Sequence, residues 1–120
     1  MSAVARFGRN LKISVDASLR GAVRRFFIDG FGCALKHSGD AIDQFAFDDG
    51  ASLGAFYVPA ERALGREAYD VAPWLEFLVD DVAAAEARLL AAGGERVDFM
   101  DVSHPYLRAP GGPVFRLAKA

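Results

Sequence analysis

Polar and apolar residues alternate strictly from Asn10 to Asp16, with Leu11, Ile13 and Val15 on one face and Asn10, Lys12, Ser14 and Asp16 on the other. A period of two predicts a half-buried strand. The period then changes: Leu19, Ala22, Val23, Phe26 and Phe27 recur at three- and four-residue spacing. This predicts a helix capped by Ser18, ending near Gly30 and Gly32 and lying on the Leu11, Ile13 and Val15 face. Three shorter strands, Cys33 to His37, Gln44 to Phe47 and Leu53 to Val58, follow around the turn signals Ser38-Gly39-Asp40 and Asp48-Asp49-Gly50. The order is β-α-β-β-β.

Pro59 to Ala72 has no clear period and reads as a surface connection with room for a short helical turn. Beyond it the plan repeats. Leu75 to Asp80 superimposes on Leu11 to Asp16, and the second strand is taken from Trp74 to Val79. Asp80 or Asp81 caps a helix from Val82 to Ala92 that stops at Gly93-Gly94. Arg96 to Phe99, Tyr106 to Arg108 and Val114 to Ala118 supply three more strands, with Pro105, Pro110 and Pro113 at their ends. Residues 1–120 thus read as one α+β domain made of two βαβββ modules, residues 9–58 and 73–120, joined by residues 59–72. Alternation turns Leu75, Phe77 and Val79 toward the second helix and leaves Trp74, Glu76 and Leu78 on the opposite side, where a ligand would sit.

Composition narrows the partners. The chain has 120 residues, 52% hydrophobic and 25% charged, with ten Phe, enough for a packed core. A net charge of −2 with interspersed signs gives no field to attract a phosphate backbone or an anionic membrane, so neither nucleic acid nor membrane is expected as a partner. Arg20, Arg24 and Arg25 read as a solvated helix face. Cys33 is alone, which excludes an intrachain disulfide and a Cys-based zinc site. The stretch from Met1 to Arg6 has no apolar run of signal-peptide length, and the expected location is the cytoplasm. Ser14 and Ser52 lack a His-Asp pattern, and Gly30-Phe31-Gly32 is too short for dinucleotide binding.

Three stretches carry a resemblance: Phe26-Phe27-Ile28-Asp29-Gly30-Phe31-Gly32, Phe77-Leu78-Val79-Asp80-Asp81-Val82 with Ala92-Gly93-Gly94, and Ala109-Pro110-Gly111-Gly112-Pro113-Val114-Phe115-Arg116-Leu117. In order and spacing the chain resembles the vicinal oxygen chelate superfamily, which includes glyoxalase I, bleomycin-resistance proteins and extradiol dioxygenases. The resemblance implies a curved, cup-shaped mixed sheet and a homodimer, with modules paired within or across chains. Metal-dependent members carry a His on each module's first strand and a Glu on its last. The matching positions here are Asn10, Trp74, Gly54 and Arg116, so the resemblance implies no metal and no cofactor. His37 and His104 lie in different modules, outside any metal-ligand spacing, and only convergence with Glu76 would give them that role.

The expected cup has Trp74 and Phe56 as flat walls, Lys12, Glu76 and Arg116 as charged groups, Asn10 and Gly54 at the former ligand positions, and Tyr57, Tyr106 and His104 at the rim. Arg116 is either a fork for an anion or a salt-bridge partner of Glu76 or Asp98. Three functions fit: a metal-independent protein that sequesters a small aromatic or anionic compound; a glyoxalase-class lyase or isomerase using Glu76 as base or a displaced metal; or an interaction domain whose cup is filled by its own side chains.

Overall fold

The computed structural model describes residues 3–120; Met1 and Ser2, part of the N-terminal stretch read above, lie outside them. Strand β1 spans Asn10–Asp16, as the alternation predicts. The cap that follows is Asp16, not Ser18. One Asp16 carboxylate oxygen accepts from the Ser18 backbone N–H and from its hydroxyl, each at 2.9 Å, because the first turn already starts at Ala17 and leaves Ser18 inside it. A 3-10 turn, Ala17–Leu19, leads into helix α1, Arg20–Arg25, and a π turn, Phe26–Gly30. The wide turn sets Phe26 and Phe31 one above the other, with rings 5.5 Å apart.

Strands β2 (Ala34–Ser38), β3 (Ile42–Ala46) and β4 (Ser52–Val58) complete the first sheet in the order β1-β4-β3-β2, with β1 parallel to β4 and the other pairs antiparallel. Two of these strands sit earlier or later than the alternation suggests. Cys33 still donates to the Phe27 carbonyl at 2.9 Å and so belongs to the helix exit, while Phe47 donates to Ala51 at 2.9 Å and closes the turn. The connection holds a 3-10 turn, Ala60–Arg62, and helix α2, Arg66–Asp70.

The second module has β5 (Leu75–Val79), α3 (Val82–Ala91), β6 (Glu95–Arg96), β7 (Tyr106–Arg108) and β8 (Val114–Lys119), in sheet order β5-β8-β7-β6. Asp81 caps α3, accepting from the Ala84 N–H at 3.0 Å. Strand β6 is shorter than expected. After Val97 donates to Tyr106 at 2.8 Å, the chain leaves the sheet for a loop tied down by Asp101, which accepts from Ser103 and from the Tyr106 hydroxyl.

Both sheets share one core. Ile13, Val15, Leu53 and Ala55 of the first sheet and Leu107, Phe115 and Leu117 of the second enclose Val23, Phe26, Phe27, Leu89 and Ala92 from the helices. Each such Phe or Leu contributes about 1.5–3 kcal/mol by leaving water. The helical segments come close together at Gly30, where a Cβ would stand 3.0 Å from Leu89 Cδ2 and 3.2 Å from Ala92 Cβ. Phe31 links the modules through Phe77, ring to ring at 4.6 Å, and Phe115 at 5.5 Å. Since the helix-bearing faces of the two sheets are buried in this common core, their other faces point away from it. Leu11, expected inside, is 40% exposed at the start of its strand.

The basic face of α1 is not merely solvated. Asp43, on β3, is fully buried. Its two oxygens accept from Arg20 Nη2 (2.8 Å) and Nε (3.2 Å), Arg24 Nε (2.7 Å) and Nη2 (2.8 Å), the Ser38 hydroxyl (2.8 Å) and the Tyr57 hydroxyl (2.8 Å). Burial pushes this carboxyl up, but the donors from Arg24, Arg20, Tyr57 and Ser38 outweigh it and hold Asp43 well below the usual carboxylate range. Tyr57, expected at the rim, therefore faces the helix: it has the same parity as Leu53 and Ala55.

Candidate functional site

The outer face of the second sheet carries one group of the expected site residues. Directly paired strand residues share a face, so Tyr106 and Arg116, paired across β7 and β8, point to the same side as Glu76, paired with Arg116 across β5 and β8. Arg116 Nε donates to Glu76 Oε2 at 2.7 Å, and its Nη1 reaches Asp101 and the Tyr106 hydroxyl at 3.3 Å each. The guanidinium carbon lies 4.7 Å from the Trp74 ring, and Trp74 meets Tyr106 edge to face at 5.5 Å. Hydrogen bonds to Tyr106 and Glu76 strengthen Arg116's hold on its proton. Arg116 is thus a salt-bridge partner, of Glu76 as one reading had it, and of Asp101 rather than Asp98. Glu76 has its carboxylate engaged by that same arginine, which leaves it poorly placed as a free base.

The loop before β7 completes the group. Asp101 accepts from the Ser103 hydroxyl and N–H, from Tyr106 at 2.9 Å and interacts with His104 Nδ1 at 3.3 Å; the Ser103 donors, then Tyr106, keep it well below the usual carboxylate range. His104 therefore belongs to this loop network.

Beside Trp74 lies a cleft of about 420 Å³ walled by Trp74, Phe99, Val97 and Val114, with Arg108 and Asp70 among its polar lining. Trp74 and Phe99 are each a little over one-third exposed. Arg108 was not among the sequence candidates. Its pairing with Val114 gives it the parity of Tyr106, so the same alternation that selected Tyr106 points to Arg108. It is 7% exposed; Nη1 donates to the Gly112 carbonyl at 3.0 Å, Nη2 donates to Asp70, and Nε has no partner.

The other expected residues lie on the outer face of the first sheet. Lys12 stands over the Phe56 ring at 5.6 Å. Asn10 Oδ1 accepts from the Ser52 hydroxyl at 2.9 Å, which in turn accepts from Gln44 at 3.3 Å. At Gly54 an added Cβ would meet the Phe56 ring at 3.4 Å and Ile42 at 3.9 Å, so the backbone does not demand glycine there. Among the described residues, no hydrogen bond, ion pair or aromatic contact joins this group to the Trp74 and Arg116 group. The expected single cup is divided between two faces of the chain.

The residues that the resemblance matches to metal ligands do not suit a divalent cation. Arg116 is a permanent cation already matched to carboxylates, Trp74 and Gly54 offer no side-chain donor, and the Asn10 carbonyl is engaged by Ser52. Among the described residues no three His, Cys, Asp or Glu side chains converge as a metal site, and His37 and His104 stay on different modules. No helix among them is long and apolar enough to cross a membrane.

No family model matches the sequence, and no curated protein matches it. Solved structures do. A glyoxalase-related enzyme from Fulvimarina pelagi is 22% identical, with 97% of this chain and 89% of that one covered at a TM-score of 0.71. A possible glyoxalase from Bacillus cereus is 21% identical over 94% of this chain and 98% of its own, at 0.67. The trypanothione-dependent glyoxalase I of Leishmania major is 15% identical over 96% and 87%, at 0.71. At such identities the likeness speaks for the architecture, and the chain has the two-module fold of the glyoxalase and bleomycin-resistance proteins.

Proposed function

We propose that this chain is a metal-independent small-molecule-binding protein of the cytoplasm, which sequesters an aromatic or anionic compound on the outer face of its second sheet. The cleft beside Trp74 carries the reading: its volume lies within the roughly 300–1,000 Å³ typical of small-molecule sites, and its walls combine flat rings with a few placed polar groups. The arginine at one former ligand position supports binding over metal-activated chemistry, since it occupies the place where a cation would polarise a substrate.

The working form on this reading is a homodimer. Phe56 on the first sheet's outer side and Trp74, Leu78, Met100 and Val102 on the second's are exposed. Strands β1 and β5 each end their sheet. A second copy that laid its first sheet beside this chain's second sheet would cover those side chains and bring Lys12 and Phe56 toward Glu76 and Trp74, restoring one cup.

The test is a thermal-shift screen of aromatic acids, phenols and antibiotics, together with light scattering and metal analysis of purified protein. A saturable rise in melting temperature with a dimeric mass is the expected result. Stoichiometric divalent metal with chelator-sensitive turnover of glutathione-conjugated methylglyoxal or of a catechol would overturn the reading in favour of an enzyme. A flat response across the screen would favour a self-filled interaction domain.

A further inference from the structure

The Arg108 side chain is more than nine-tenths buried, yet it is incompletely paired. A guanidinium offers a carboxylate two parallel donors along its Nε and Nη2 edge. Asp70 takes only Nη2, from the last position of the short linker helix α2, and Nε is left without a partner or access to solvent. The Asp70 side chain is 51% exposed. One half of the fork is therefore filled by a carboxylate that can turn to water, and the other half is empty. A buried donor without an acceptor is unfavourable, and a second oxygen placed there would relieve it.

Arg108 and Asp70 help to line the cleft whose wall includes the rings of Trp74 and Phe99. Resting on the binding function proposed above, we infer that Arg108 is the specificity-determining residue of this cleft, that its ligand is a planar aromatic carboxylate, and that Asp70 is an internal competitor for the same guanidinium. Asp70 swings outward to open the buried fork, the ligand carboxylate then takes Nε and Nη2 together, and its ring lies against Trp74 and Phe99 in the cleft. Arg116 does not play this part, because Glu76, Asp101 and Tyr106 already accept from it.

The experiment is isothermal titration of the full chain with 1-naphthoate and with neutral 1-naphthalenemethanol. Wild type, Asp70→Asn and Arg108→Lys are compared. Removing the competitor in Asp70→Asn should tighten 1-naphthoate by about tenfold, the ratio one charge-assisted hydrogen bond supports. The alcohol should bind with unchanged affinity. Arg108→Lys keeps the charge but not the fork, and should lose most of the preference for the acid over the alcohol. If Arg108→Lys does not fold, Asp70→Asn decides alone, since its side chain is half-exposed. Equal binding of acid and alcohol, with no change in Asp70→Asn, would overturn the role of Arg108 while leaving the cleft as a binding site. No binding of either compound to any variant would remove this inference, and a flat thermal-shift screen beside it would remove the broader reading as well.

Discussion

Replacing Asp43 by Asn tests whether the first module is held by an internal ion cluster. The side chain keeps its shape, but one oxygen becomes an NH2 facing the donors that the oxygen accepted from, whichever way the amide turns. Oδ1 accepts from both Nη2 groups and Ser38, and Oδ2 from both Nε groups and Tyr57. Breaking a buried pair from one side costs about 3–5 kcal/mol. The side chains of Arg20 and Arg24 are 26% and 38% exposed and can recover water, so the low end, about 3 kcal/mol, is the better figure. For 120 residues the unfolding entropy is about 0.25 kcal/mol/K, and that loss lowers the melting temperature by about 12 °C.

The pH dependence gives a second reading of the same variant. Asp43 is held below its unfolded value, so its contribution is complete above the ordinary carboxylate range and is lost as pH falls through about 4 toward the folded value, the unfolded chain binding the proton first. Circular dichroism melts at pH 6.5 and pH 3 should show the gap between wild type and Asp43→Asn narrowing in acid. Other carboxylates titrate in both proteins and drop out of the difference. A gap under about 3 °C at pH 6.5, or an equal gap at both pH values, would refute the account.

Three other outcomes are expected. Gly111→Ala must place a side chain at φ +93 with its Cβ 2.5 Å from Val15 Cγ1, and should lose about 3 kcal/mol in urea unfolding; a wild-type midpoint would remove the close approach of the β7–β8 turn to β1. Burial, helped by the charge of Asp48, pushes the Cys33 thiol up to about 12, so iodoacetamide at pH 8 should label it in urea but barely in the native protein. Trp74→Ala should abolish the ligand-induced thermal shift while leaving the fold intact, because the indole lies on an outer face and outside the shared core; an undiminished shift would move the site elsewhere.

The fold was legible because two periods, two and then near 3.6, occur twice in the same order, and tertiary packing agreed with both. Strand ends moved only where a local bond decided them, as with Cys33 held to Phe27 and Phe47 to Ala51. Side-chain parity found Tyr106, Glu76 and Arg116 on one face and, carried two residues further, reaches Arg108. What alternation does not contain is which modules meet across which faces: a strand says which side is apolar, not whose helices cover it. Lys12 and Phe56 were therefore grouped with Trp74, although both sheets turn their inner faces to one shared core. The Asp43 cluster escaped for a related reason. A buried carboxylate on a strand reads as a polar break in the pattern until the arginines of another element are seen against it.

The outer face of the second sheet shows why charge count alone would choose the wrong arginine. Two arginines face this side: Arg108 pairs with Asp70, and Arg116 with Glu76 and Asp101, so each guanidinium has a carboxylate. An incoming anion gains only if it displaces a weaker partner or reaches a donor that has none. Arg96, paired across the strands with the core residue Leu107, shares the helix side and reaches Glu86 of α3 there. Arg116 is held through two nitrogens by two acidic side chains and a phenol, and these would have to be stripped away before a ligand could approach. Arg108 alone combines near-complete burial, an unpaired Nε and a partner that is half in solvent. Selectivity for an acid on this face depends less on having a positive charge than on how incompletely the protein has neutralised it.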